Sequence, residues 1–180
     1  MLTSAVLAHT VLVITAAVLL YAAWNDLRNY RIPNELVAVL AGLFVVHAVV
    51  SGRWVEMHWN IAFAFLMFLI MLIFYIRKTM GGGDLKLLTV GFLWAGYACA
   101  LPFTIFLLVF ALIHASVVKM GIVKAIGPDG RRVPFAPTIA AALIGIFMLG
   151  CLEHAPAHAP GDNAPQSPKS SGEVSPPQSR

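Results

Sequence analysis

Apolar residues run along this chain in long unbroken blocks, with little of the alternation that marks half-buried strands or amphipathic helices. A hydrocarbon core takes about 20 helical residues, with a range of roughly 17–25. Against that length the blocks predict six helices, near residues 4–24, 33–50, 59–76, 84–99, 103–118 and 135–152. The fourth and fifth are short, separated by Pro102, which Gly96 precedes. One continuous helix over both would be about 50 Å long at 1.5 Å per residue, too long for one crossing. Two short helices around a tight turn are expected instead. The first block has no Lys or Arg before it and outruns a signal-peptide core, so it is expected to stay as a membrane helix.

Composition sharpens this picture. Of 180 residues, 59% are hydrophobic and 11% charged, and the mean hydropathy is +0.83. Neither a soluble globular fold nor general disorder fits those values. The expected fold class is all-α, a polytopic integral membrane protein of about six transmembrane helices. From Glu153 the character changes, and Pro156, Pro160, Pro165, Pro168, Pro176 and Pro177 fall among Ser, Gln and Ala. The chain therefore divides into a membrane-embedded unit, 1–152, and a flexible Pro-rich tail, 153–180. No internal repeat is evident.

Charge sets the orientation. Arg28, Arg31, Arg77, Lys78, Lys86, Lys119, Lys124, Arg131 and Arg132, nine of the 12 basic residues, follow the first, third and fifth blocks. Those segments are expected in the cytoplasm, with both termini outside. The net charge of +4 is spread in small groups between apolar runs. Membrane lipids, not nucleic acid, are the partner it suits. Cys99 and Cys151 lie in apolar surroundings and are expected to be small core hydrophobes.

Acidic residues are few enough to weigh singly. Glu153, Asp162 and Glu173 belong to the tail, Glu56 to an outer loop, Asp129 to a Gly-Pro-Asp-Gly turn, and Glu35 to a helix start. Asp26 ends the first block and Asp84 opens the fourth, so both fall on the cytoplasmic face at similar depth. Ionisable groups there are costly unless solvated, paired or facing a cavity. Asp26 could pair with Arg28 or a lipid amine, and Asp84 could cap a helix. Three glycines, Gly81, Gly82 and Gly83, precede Asp84 and forfeit helix propensity. Either they form a hinge, or they offer backbone that unwinds for close approach of an extended chain. No phosphate-loop pattern surrounds them. Two carboxyls that meet share a proton, and one can activate water while the other polarises a carbonyl. That set hydrolyses a peptide bond with no metal and no cofactor.

Other chemistry has less support. His9, His47 and His114 stand singly in separate helices, with no Glu or Cys at ligand spacing, and satisfied polar contacts are expected. His154 and His158 in the tail make a weak ligand set. Ser4, Ser51 and Ser116 lack an evident base.

Asp26 with Arg28 and Ile32-Pro33-Asn34, then Gly81-Gly82-Gly83-Asp84-Leu85-Lys86, then Val133-Pro134-Phe135-Ala136-Pro137, resembles the type IV prepilin leader peptidases over about residues 5–150. The family's Gly-x-Gly-Asp motif falls on Gly81, Gly83 and Asp84, and its first aspartate on Asp26. The resemblance implies an integral-membrane aspartic endopeptidase that removes the basic leader of type IV prepilins and pseudopilins at the cytoplasmic side. It implies Asp26 and Asp84 as catalytic residues and Gly81, Gly82, Gly83 and Lys86 as an active-site loop. Pocket or substrate-binding roles fall to Arg28, Ile32, Pro33, Asn34, Pro134, Phe135 and Pro137. Ile32-Pro33-Asn34 and Pro134-Phe135-Ala136-Pro137 also read as helix-start turns.

The chain lacks the paired Cys-x-x-Cys motifs that larger members carry near an N-methyltransferase activity. Its size resembles the branch serving tight-adherence (Flp) pili, which implies cleavage without methylation, in a bacterial inner membrane beside the pilus-assembly machinery. Three rivals stay in view. A presenilin-like protease shares Gly-x-Gly-Asp, but Asp26 follows Asn25 and not Tyr. A small transporter or proton pathway could use both aspartates as carriers. A non-catalytic pilus-assembly subunit would tolerate loss of either.

Overall fold

The computed structural model describes residues 2–29, 31–78, 80–120 and 135–151. Among them lie six helices: α1 (Leu2–Asn29), α2 (Asn34–Val50), α3 (Trp54–Ile76), α4 (Gly82–Ala95), α5 (Ala100–Lys119) and α6 (Ala136–Met148). Their order is the one the apolar blocks predict. Three, over Val6–Asn29, Glu56–Ile76 and Ala100–Val117, are long and apolar enough to cross a membrane. The tail lies outside the described residues.

The two shortest helices sit inside. On α4, Leu85, Leu87, Leu88, Val90, Phe92, Trp94 and Ala95 are buried, so only a narrow stripe through Lys86, Thr89 and Leu93 stays accessible. On α6, Ala136, Thr138, Ile139, Ala140, Ala142, Leu143 and Ile146 are buried too. These helices pack on each other. Around them, α2, α3 and α5 flank α4, while α1 and α5 flank α6. A helix of about 14 residues is roughly 21 Å long, short of a 30 Å hydrocarbon core. Enclosed by longer helices, it need not match the core's thickness.

The outer helices turn large apolar side chains outward, including Leu20 and Tyr21 of α1, Phe65 and Leu66 of α3, and Leu101, Ile105 and Leu108 of α5. Their inward faces follow helical spacing. On α1 the buried positions are Val11, Thr15, Leu19, Ala22, Ala23 and Asp26, a stripe of three- and four-residue steps. Close approach uses small residues, as membrane helices do. A Cβ on Gly91 would lie 2.9 Å from Phe103 Cζ, and Phe103 is fully buried edge-on to Phe92.

Three expectations are corrected. Helix α1 runs on past Trp24 to Asn29, so Asp26 lies inside the helix and not at its end. Pro102 does not separate the fourth and fifth helices: it sits in the first turn of α5, where the missing N–H has no intrahelical partner to lose. The break falls earlier, at Gly96, whose φ of 60° ends α4. Cys99 and Cys151 are not free thiols packed as hydrophobes. They form a disulfide, with Cα atoms 6.1 Å apart, that ties the start of α5 to the chain just beyond α6.

Candidate active site

Asp26 is the last residue of the inward stripe of α1, and at 5% exposure it is one of the few buried polar side chains. The N-terminus of α6 meets it. The Ala136 N–H donates to Asp26 Oδ2 at 3.1 Å, and the Phe135 N–H is turned to the same carboxyl. Phe135 is the N-cap of α6 and Pro137 follows in its first turn. The free amides and dipole of that helix end favour an anion. No ion pair joins Asp26 to Arg28 among the described residues. The Arg28 guanidinium lies 4.7 Å from the centre of the Trp24 ring on the exposed side of α1.

Asp84 stands in the first turn of α4. Gly81 is the N-cap, in extended backbone with φ −74° and ψ 147°. Its N–H hydrogen-bonds the Asp84 carboxyl, so the acid three residues into the helix reaches back to its own cap. Space for this exists because residue 81 has no side chain. A Cβ there would lie 2.9 Å from Asp84 Oδ2. Gly82 and Gly83 are helical, which corrects the expectation of an active-site loop over Gly81, Gly82, Gly83 and Lys86: all but Gly81 belong to α4. Asp84 itself is close enough to Asp26 to feel its charge. Two carboxyls from separate helices thus lie within electrostatic range of each other at one end of the bundle.

The segment between α1 and α2 packs against this helix start. A Cβ on Gly83 would touch Ile32 at 3.5 Å, and Lys86 Nζ donates to Asn34 Oδ1 at 2.8 Å. Asn25 Nδ2 donates to the Arg31 carbonyl at 2.9 Å, bracing the same turn from α1. Pro33 is the N-cap of α2. Pro134 lies outside the described residues. So Ile32 lies against Gly83 and Asn34 against Lys86, while Arg28 faces away on Trp24.

A model of the type IV leader peptidase family matches residues 13–120, and that stretch carries both aspartates. The chain belongs to the type IV leader peptidase family. No curated protein and no solved structure matches it. Membership indicates a prepilin peptidase, a membrane hydrolase whose substrates are prepilins.

The peptidase has other features that its sequence did not disclose. The amides of Phe135 and Ala136 carry no side-chain signature. Tyr75 of α3 lies against Gly82, 3.3 Å from where a Cβ would be. His114 of α5 does not have the satisfied contact expected of it, since its buried Nε2 has no hydrogen-bond partner among the described residues. A cavity of ≈ 40 Å³ lined by His47, Arg53, Glu56, Asn60, Trp94 and Cys99 lies at the opposite end of α4 from Asp84. No group of three His, Cys, Asp or Glu side chains suited to a metal occurs among the described residues.

Proposed function

We propose that this leader peptidase is a two-aspartate endopeptidase in which Asp26 and Asp84 cleave Flp-type prepilins or pseudopilins, without N-methylation, at the cytoplasmic face of a bacterial inner membrane. The observation that supports it is that these two carboxyls, each held by backbone amides at a helix start, lie within electrostatic range of each other. The ionised partner takes a proton from water, whose oxygen attacks the scissile carbonyl carbon. The protonated partner gives its hydrogen to the carbonyl oxygen. Collapse of the tetrahedral adduct then breaks the C–N bond as the amine leaves protonated.

Sidedness has two independent supports. Most Lys and Arg cluster in segments at the end that holds Asp26 and Asp84. The Cys99–Cys151 bridge joins the opposite ends of α4–α5 and α6, and disulfides persist in oxidising compartments. With this orientation, six crossings would leave both termini outside. Lipids surround the bundle, and pilus-assembly proteins are the neighbours such an enzyme would serve.

The test is cleavage of a small pilin precursor in proteoliposomes, with the cut located by mass spectrometry. Wild type should make one cut, at the boundary between the basic leader and the mature pilin. Asp26→Asn and Asp84→Asn, at matched folded amounts, should each lose at least about 100-fold in rate, the lower range for acid–base groups. Wild-type cutting by both variants would end the two-aspartate mechanism.

A further inference from the structure

Helix α5 contributes nothing to the site so far described, yet its inward face runs straight to it. Phe103 is buried, Phe106, Leu107, Phe110 and Ala111 are half-buried, and the next inward position is His114. The flanking Ile113 and Ala115 are exposed. An imidazole on that stripe, near the end of α5, is thus directed into the bundle by helical register alone. It arrives beside α6, on which α1 also packs.

Two observations single it out. Its Nε2 is buried and has no hydrogen-bond partner among the described residues. A buried polar nitrogen without a partner costs roughly 1–3 kcal/mol, a cost that an acceptor or a water within its reach would remove. It also lies within electrostatic reach of the Asp26 carboxyl. The Ala136 amide holds Oδ2 of that carboxyl, and an ionised carboxylate accepts up to about four hydrogen bonds. A water between imidazole and carboxylate would satisfy both, since buried waters need two to four polar partners.

We propose that His114 is a positioning residue for Asp26, its buried Nε2 hydrogen-bonding the carboxyl through a bridging water. Asp26 is then gripped from two sides, by the α6 amide and by α5, and its free oxygen is aimed at the site shared with Asp84. This rests on the two-aspartate reading above.

The experiment compares wild type, His114→Leu, His114→Gln, Asp26→Asn and Asp84→Asn in the proteoliposome assay, with folding checked by thermal unfolding. His114→Leu should lower kcat by about 100-fold, the cost of a carboxyl misplaced by roughly 1 Å. KM should stay within about twofold. His114→Gln, which keeps a polar group at that reach, should recover most of the loss. Wild-type kcat in His114→Leu would overturn the proposal. So would a His114→Gln as slow as His114→Leu, which would assign the ring a packing role. If the aspartate variants cut normally, the two-aspartate reading falls first. If they are dead while both His114 variants cut normally, only the role of His114 falls.

Discussion

At the residue scale, Gly81 carries the sharpest consequence. Its backbone is extended and open to any residue, so alanine brings no strain there. What alanine would bring is a Cβ 2.9 Å from Asp84 Oδ2. The atom that must yield is the end of a side chain, so stability changes little, but the carboxyl moves. Gly81→Ala should therefore unfold within a few degrees of wild type while its cleavage rate falls about tenfold to 100-fold. Gly83→Ala makes only an ordinary contact with Ile32 at 3.5 Å and should cut at close to the wild-type rate. Equal rates in the two variants would remove this account of Gly81. The glycines stood out in the sequence for their missing helix propensity. Their use differs from position to position, and only the distances say how.

At the element scale, the internal helices α4 and α6 set the register of the site. Helix α4 begins at Asp84's turn and α6 begins at Asp26, so a shift of either along its axis separates the carboxyls. Gly91 controls how closely α4 approaches α5. A side chain there meets Phe103 Cζ at 2.9 Å, and Phe103 has no exposed surface into which to move. Gly91→Val should lower stability by about 1–3 kcal/mol, the usual cost of overpacking, and should slow cleavage as well. Gly42, where a Cβ meets nothing within 4 Å, is the control, and Gly42→Ala should unfold no earlier than wild type. Unfolding midpoints in detergent measure both. A Gly91→Val protein as stable as wild type would mean that the α4–α5 contact is looser than its geometry implies.

At the scale of the whole molecule, the bundle has two unlike ends. One gathers Asp26, Asp84, His114 and the starts of α4 and α6. The other holds the Cys99–Cys151 bridge. Opening the bridge with Cys99→Ser releases the α5–α6 pair at the far end and should cost about 2–4 kcal/mol, as disulfides of this kind do. Cleavage at low temperature should persist, because α4 and α6 each carry the effect over about 20 Å before it reaches the carboxyls. The native enzyme should take up no thiol label until it is reduced. Full labelling without reductant would show that the bridge is not formed and would remove one support for the sidedness.

The sequence by itself determined the membrane class, the order of the six helices and the pair of acidic residues worth testing. Apolar blocks, glycine triplets and charge counts are local properties that survive without any fold. It could not say which helices face lipid and which are enclosed, because both settings select the same apolar residues. Nor could it show that cysteines 52 residues apart are bonded, that Arg28 turns to Trp24, or that a solitary histidine on α5 shares the end of the bundle with Asp26. Those facts are matters of rotation about helix axes and of which helices lie side by side. Packing around α4 and α6 decides both.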